Sequence, residues 1–194
     1  LPSVPIYVDS PLSREATELL KKFPENFNKR VRKIMEHDDD PFDFKTLKFI
    51  KTVDESKQLN DNDAPCVIIS ASGMADAGRV KHHIMNNIGK ERTTILMVGY
   101  CDPYSLGGRL MAGQKEVKIF GELYPVKAEI GVMRSMSAHG DYEDLCQFLS
   151  SQNPELVRKL FLVHGEYEVQ IDFAARLRRK HFKEVIIPDM HETH

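Results

Sequence analysis

Cysteine is scarce. Cys66, Cys101 and Cys146 are the only three in the chain, and no CxxC pair occurs among them. Such an odd, scattered set neither frames a disulfide-stapled domain nor builds a zinc ribbon. It reads as the reduced thiols of an intracellular, cytoplasmic protein. Long apolar runs are also lacking. No stretch of the sequence approaches the roughly 18–20 residues of a membrane span, and no signal peptide is visible, so no membrane partner is expected. Nor is there an excess of charge: the formal net charge is −2. That excludes wholesale electrostatic attraction to nucleic acid, so any RNA or DNA binding must come from locally arranged basic groups. Internal repeats and low-complexity tracts are absent. The first residue is Leu1 rather than Met, and it leads almost at once into an apolar strand-like run. The expectation is a piece of something longer.

What is present points to an α/β protein. The 194 residues suffice for one good-sized domain or two small ones, and a 41% hydrophobic content can fill a core. Short apolar runs alternate with helical periods. "VPIYV" (4–8) leads through Ser10 and Pro11 into a segment whose Ala16, Leu19, Leu20 and Phe23 recur at helical spacing. Ser10 or Ser13 is the candidate cap. "LKFI" is followed by a polar "DESKQLNDND" connection. Then "CVIIS" (66–70) suits a buried parallel strand and passes through "ASGMADAG" into the helix "RVKHHIMNNIG", ending at Gly89. "TTILMVGY" is the next strand, and "CDPYSLGGRLMAG" a loop and short helix. Strand–loop–helix units in series argue for a largely parallel sheet. The texture changes near Gly113, where "EVKIFGELYPVKAEIGVM" reads as a hairpin turning near Gly121. A domain boundary is therefore placed between 1–112 and 113–194.

The chemistry-bearing residues gather at strand-to-helix junctions. Asp141 precedes Tyr142, Leu145, Phe148 and Leu149, an apolar stripe at helical spacing, and with Asp144 it makes an N-cap. His139, just before it, reads either as a loop histidine or as a ligand or acid–base group. The positive end of the helix dipole favours the neutral imidazole that coordinates metal. A general acid would need a nearby carboxylate or phosphate to keep the ring protonated. His164 follows the apolar strand in "KLFLVHGE", where Gly165 permits a tight turn and Glu166 is placed to orient the imidazole or open the next helix. The two His-Gly-acid units lie 25 residues apart. A metal site needs three or four protein ligands, and His37, His82, His83, His181, His191 and His194 do not supply them. "HETH" has one residue too few for HExxH. "SASGM", with Ser70, Ser72 and Gly73, is the candidate phosphate cradle, although it is neither a Walker A loop nor GxGxxG. Arg14, Lys21, Lys22, Arg79, Lys81 and residues 178–180 read as a solvated basic face, a subset of which can pair with phosphates.

Five motifs carry a resemblance: "PIYVDSPLS", "ISASGMADAGRVKHHI", "VGYCDPYSLGGRL", "SAHGDYEDL" and "LVHGE". In this order and spacing they resemble the β-CASP branch of the metallo-β-lactamase fold, which includes the cleavage and polyadenylation endonuclease family and its bacterial and archaeal RNA-degrading relatives. The likeness covers nearly the whole chain and is weakest over 24–64. It implies a parallel-sheet β-CASP domain over 1–112. Residues 113–194 would be the C-terminal βαβ segment of a metallo-β-lactamase domain whose N-terminal half is missing. It further implies metal-assisted phosphodiester hydrolysis of single-stranded RNA with two zinc ions in the full-length protein.

Residue by residue, the resemblance makes His139 the general acid, His164 one zinc ligand, and Ser70, Ser72 and Gly73 the part that approaches the RNA backbone. Asp141 and Glu166 become the supporting carboxylates. The family's HxHxDH motif and remaining ligands lie upstream of the insert and are not in this sequence. The fragment alone is therefore expected to be inactive. A homodimer is left open as an assembly. The alternatives are a non-catalytic RNA- or nucleotide-binding α/β module using only the "SASGM" cradle, and a small-molecule hydrolase on the lactamase fold.

Overall fold

A computed structural model describes residues 4–38, 40–136 and 139–193. The chain divides into two compact units, Leu1–Ser137 and Ala138–His194. The fold is α/β with parallel strands, as the alternating pattern predicts.

The first unit begins with β1 (Ile6–Asp9), α1 (Pro11–Lys21), a 3-10 turn (Pro24–Asn26) and α2 (Lys29–Met35). Next come β2 (Leu47–Phe49), α3 (Val53–Asn60), β3 (Val67–Ser70) and α4 (Arg79–Asn87). β1 lies between β2 and β3, parallel to both. The unit continues with β4 (Thr94–Val98), α5 (Leu106–Met111), β5 (Glu116–Ile119), β6 (Glu122–Pro125) and β7 (Glu129–Met133). β4 and β7 pair in parallel, while β5 and β6 form an antiparallel hairpin. Phe120 and Gly121, both at positive φ, make its two-residue turn. The change of texture at 112/113 falls inside this first unit, because Val117 and Ile119 are buried with Ile84, Ile88, Met97, Leu106 and Leu110 in one core.

Capping residues set where the helices start. The Ser10 hydroxyl accepts from the backbone N–H of Ser13 at 3.2 Å, with Pro11 in the first turn of α1. α3 was not anticipated in the polar "DESKQLNDND" stretch. It buries only Ser56 and Leu59, too few to print an apolar period, and it forms because Thr52 and Glu55 close a reciprocal capping box. α1 departs in the other direction. Its apolar stripe is present, yet the helix buries no residue, and Leu12, Leu19 and Leu20 are all exposed. No described residue covers that stripe. The outer positions of the strands are similarly uncovered: Val67 and Ile69 on β3, Leu96 and Val98 on β4, and Val132 on β7 are exposed.

The second unit holds α6 (Tyr142–Leu149), β8 (Leu160–Phe161), α7 (Tyr167–Arg179) and β9 (Val185–Ile186). β8 and β9 are parallel, so β8–α7–β9 is a βαβ unit. Its core gathers Cys146, Phe173, Ala174, Leu177, Phe182 and Val185. All three cysteines are free, and burial pushes the thiols of Cys66 and Cys101 up, so neither is primed as a nucleophile. No helix among the described residues is long and apolar enough to cross a membrane.

Two glycines in α5 allow its close approach to the rest of the first unit. A Cβ on Gly108 would stand 2.0 Å from the carbonyl oxygen of Asp102, a backbone atom with nowhere to go. Alanine gains about 1 kcal/mol over glycine in a helix, but overpacking costs roughly 1–3 kcal/mol or more. The clash wins. Gly108→Ala is expected to lower stability by about 2 kcal/mol in urea unfolding. Gly89→Ala, where no atom lies within 4 Å of the new methyl, should be neutral or better.

Candidate RNA-facing and metal-ligating site

The cradle is the loop 71–78, which joins β3 to α4. It folds back on itself: Ser72 N–H donates to the Ala77 carbonyl at 3.3 Å, Ala75 N–H to Ser72 at 3.1 Å, and Val80 N–H to Ala71 at 3.3 Å. Gly78, at φ +77°, closes the loop so tightly that a Cβ would sit 2.5 Å from the Ala71 carbonyl oxygen. α5 supports the loop from behind. Gly107 N–H donates to the Met74 carbonyl at 2.9 Å, Leu106 N–H to the Asp76 carboxylate at 2.8 Å, and the Cys101 thiol to the Gly73 carbonyl at 3.3 Å. Gly73 is exposed with open space around its Cα, while Ser70 and Ser72 are half-buried. The Ser70 hydroxyl is committed inward, donating to the Asp9 carbonyl at 2.8 Å.

Asp9 is the hub of this end of the sheet, and it is not among the candidate residues of the motifs. At 1% exposure, its carboxylate accepts from Ser56 Oγ at 2.5 Å, Arg79 Nη1 at 2.5 Å and His83 Nε2 at 2.7 Å. His83 Nδ1 pairs with the carboxamide of Asn60 at 2.8 Å. Burial by itself would push the Asp9 carboxyl up. The hydrogen bonds from Ser56, Arg79 and His83, with the charge of Arg79, outweigh it and hold the group below its ordinary range. Arg79 is thus half-buried and ion-paired rather than part of a solvated basic face. Two signals for the hub were in the sequence: an aspartate ending an apolar strand, and Arg79 and His83 four apart on one helix face.

In the second unit, Asp141 is the N-cap of α6. Its Oδ1 accepts from Glu143 N–H at 2.8 Å and Asp144 N–H at 3.0 Å, and the Asp144 carboxylate returns the bond to Asp141 N–H at 3.2 Å. His139 is exposed just before it, and Ser137 and Ala138 of the same motif lie outside the described residues. His164 is also exposed and has φ +70°, a left-handed conformation uncommon for a side-chain-bearing residue, with Gly165 at φ +114° after it. Gln170 pins this turn, its side-chain N–H groups reaching the carbonyls of Leu162 and His164, each at 3.3 Å. Glu166 takes the N-cap position of α7 without a side-chain bond to the first turn. The starts of the two helices touch. The Tyr142 hydroxyl donates to the Val169 carbonyl at 3.4 Å, its ring lies 5.4 Å from that of Phe173, and Glu143 pairs with Arg176. The loops bearing His139 and His164 therefore precede neighbouring helix N-termini.

Residues 1–110 match the family described as the Beta-Casp domain. The chain belongs to the β-CASP branch of the metallo-β-lactamase fold. In this β-CASP chain, residues 123–188 also match the family described as a Zn-dependent metallo-hydrolase RNA specificity domain, a span that includes His139 and His164. Three relatives illustrate the likeness. Transcription termination factor FttA of Methanocaldococcus jannaschii is 29% identical over 192 residues, covering 96% of this chain and 30% of the relative. Ribonuclease TTHA0252 of Thermus thermophilus is 31% identical over 168 residues, covering 87% and 38%. Integrator complex subunit 11 of Gallus gallus is 29% identical over 163 residues, covering 84% and 26%. The β-CASP chain spans about a third of the length of the relatives it matches.

The donor set of this β-CASP chain does not fit a zinc ion by itself. Among the described residues no group of three or more His, Cys, Asp and Glu is placed to hold a metal. Each metal site needs three or four such ligands.

Because the folded Asp9 carboxyl lies below its ordinary value, its contribution to stability is complete above the unfolded value and fades as pH falls through the folded one. The β-CASP chain should lose this increment below about pH 4. Asp9→Asn should be less stable at neutral pH by roughly 3–5 kcal/mol, with a flatter acid limb in pH-dependent unfolding. An unchanged acid limb in the variant would remove Asp9 from this role.

Proposed function

We propose that this chain is the C-terminal portion of a zinc-dependent RNA nuclease that hydrolyses phosphodiester bonds, and that it does not cleave RNA alone. The observation carrying the proposal is the match to a Zn-dependent metallo-hydrolase RNA specificity domain across both histidine loops. Two further features support it. The relatives are roughly two to three times as long, and the apolar outer positions of β3, β4 and β7 and the α1 stripe stand uncovered. Parallel sheets are covered on both faces, so in this reading an N-terminal lactamase half packs here.

The roles follow from the loops. His164 supplies one imidazole to a two-zinc centre whose other ligands come from that half. His139 gives its proton to the leaving oxygen of the cleaved phosphodiester. Asp141, whose Oδ1 takes both cap bonds, is the carboxylate assigned to support His139. Glu166 orients His164. The rigid cradle, with Ser70 bonded to Asp9 and Gly73 open to solvent, receives the backbone of single-stranded RNA. The setting is cytoplasmic, in keeping with three free thiols.

The isolated chain, stripped of metal and given zinc, should leave single-stranded RNA intact in a gel assay. Cleavage that His164→Ala abolishes would overturn the proposal. Binding is separable from cleavage. RNA affinity should fall with salt at a slope of about −0.7 per phosphate contacted, and Ser72→Glu should abolish it in fluorescence anisotropy titrations.

A further inference from the structure

A cleft of about 400 Å³ lies between α3 and α4 of the first unit. Ser56, Lys57, Asn60, Arg79, His82 and Asn86 line it, and no acidic side chain does. We infer that this cleft is a phosphate-binding site. Two cations face it with donors to spare. Lys57 makes no ion pair or hydrogen bond among the described residues. Among the described residues Arg79 spends only Nη1, on Asp9, which leaves Nε and Nη2 for a ligand. A guanidinium anchored at one nitrogen is held for bidentate recognition of a phosphate without an ordering cost.

The nearby Glu55 carboxylate feels the charge of Arg79 but is hydrogen-bonded elsewhere. Glu55 is turned onto the backbone N–H groups of Lys51 and Thr52 at 2.8 and 3.2 Å, and these bonds hold it below its ordinary range. His82, its ring 4.7 Å from that of Phe120 and tilted 31° to it, gives the cleft an aromatic wall, and Asn60 and Asn86 add amides. The site is wired to the cradle. Asn60 both lines the cleft and holds His83, which bonds the side chain of Asp9, the residue whose backbone carbonyl accepts from the Ser70 hydroxyl. The phosphate is carried either by an RNA strand or by a free phosphate, and the chemistry of recognition is the same.

The test is a titration of the isotope-labelled chain followed by amide chemical shifts, with inorganic phosphate in one arm and a short oligouridylate in the other. Shifts at Lys57, Asn60, His82 and Asn86 in either arm are expected. Lys57→Glu should weaken that binding about tenfold, the worth of one charge-assisted hydrogen bond. Lys57→Gln should weaken it less, and Lys183→Glu, a charge reversal in the second unit, should leave it unchanged. Lys57 is exposed, so melting of both Lys57 variants should match the parent chain. Shifts with the oligonucleotide alone identify RNA as the source. Shifts at the cleft with phosphate alone identify a free phosphate and leave the nuclease reading to its own assay. No shifts at these amides in either arm, or equal weakening by Lys183→Glu, would overturn the site.

Discussion

One carboxylate organises the first unit. Asp9 ends the central strand of the β2–β1–β3 sheet with almost no solvent access, where an uncompensated charge costs several kcal/mol. The chain answers by bringing a hydroxyl from α3 and a guanidinium and an imidazole from α4 onto its two oxygens. Each of these bonds fixes an element as well as a charge. α3 is held through Ser56, α4 through Arg79 and His83, and the end of β3 through the Ser70 hydroxyl on the Asp9 carbonyl. The cradle starts one residue after Ser70. Its shape is therefore set by the charge balance beneath it as much as by its own small residues.

This explains which parts of the structure were legible in the sequence. Caps and turns are local, and they read correctly: Ser10, the Asp141–Asp144 box and the Gly121 hairpin all occupy their expected positions. The motif loops read as strand-to-helix junctions for the same reason. The Asp9 hub joins residues up to 74 positions apart, so no window of sequence holds it. Arg79, viewed along the chain, looks like one more basic residue on a helix. α3 was missed because its helical signal lies in its cap and not in its apolar content. α1 shows the converse: its stripe is legible, but the pattern does not say what covers it.

The second unit uses a different device. The helices that follow its two histidine loops are set side by side because Tyr142, at the start of α6, packs on Val169 and Phe173 of α7. The two helices share one core, built around Cys146, Phe173 and Ala174. The left-handed backbone at His164, tied down by Gln170, fixes the direction in which that ring leaves the strand.

The uncovered α1 stripe and the bare outer positions of β3 and β4 have a practical consequence for handling this polypeptide. Exposed apolar side chains favour self-association, and the open edge of a short parallel sheet offers unpaired backbone to a neighbouring molecule. A net charge of only −2 supplies little colloidal repulsion to oppose it. Concentration, ionic strength and temperature thus decide whether the chain in a tube is a monomer or a loose aggregate.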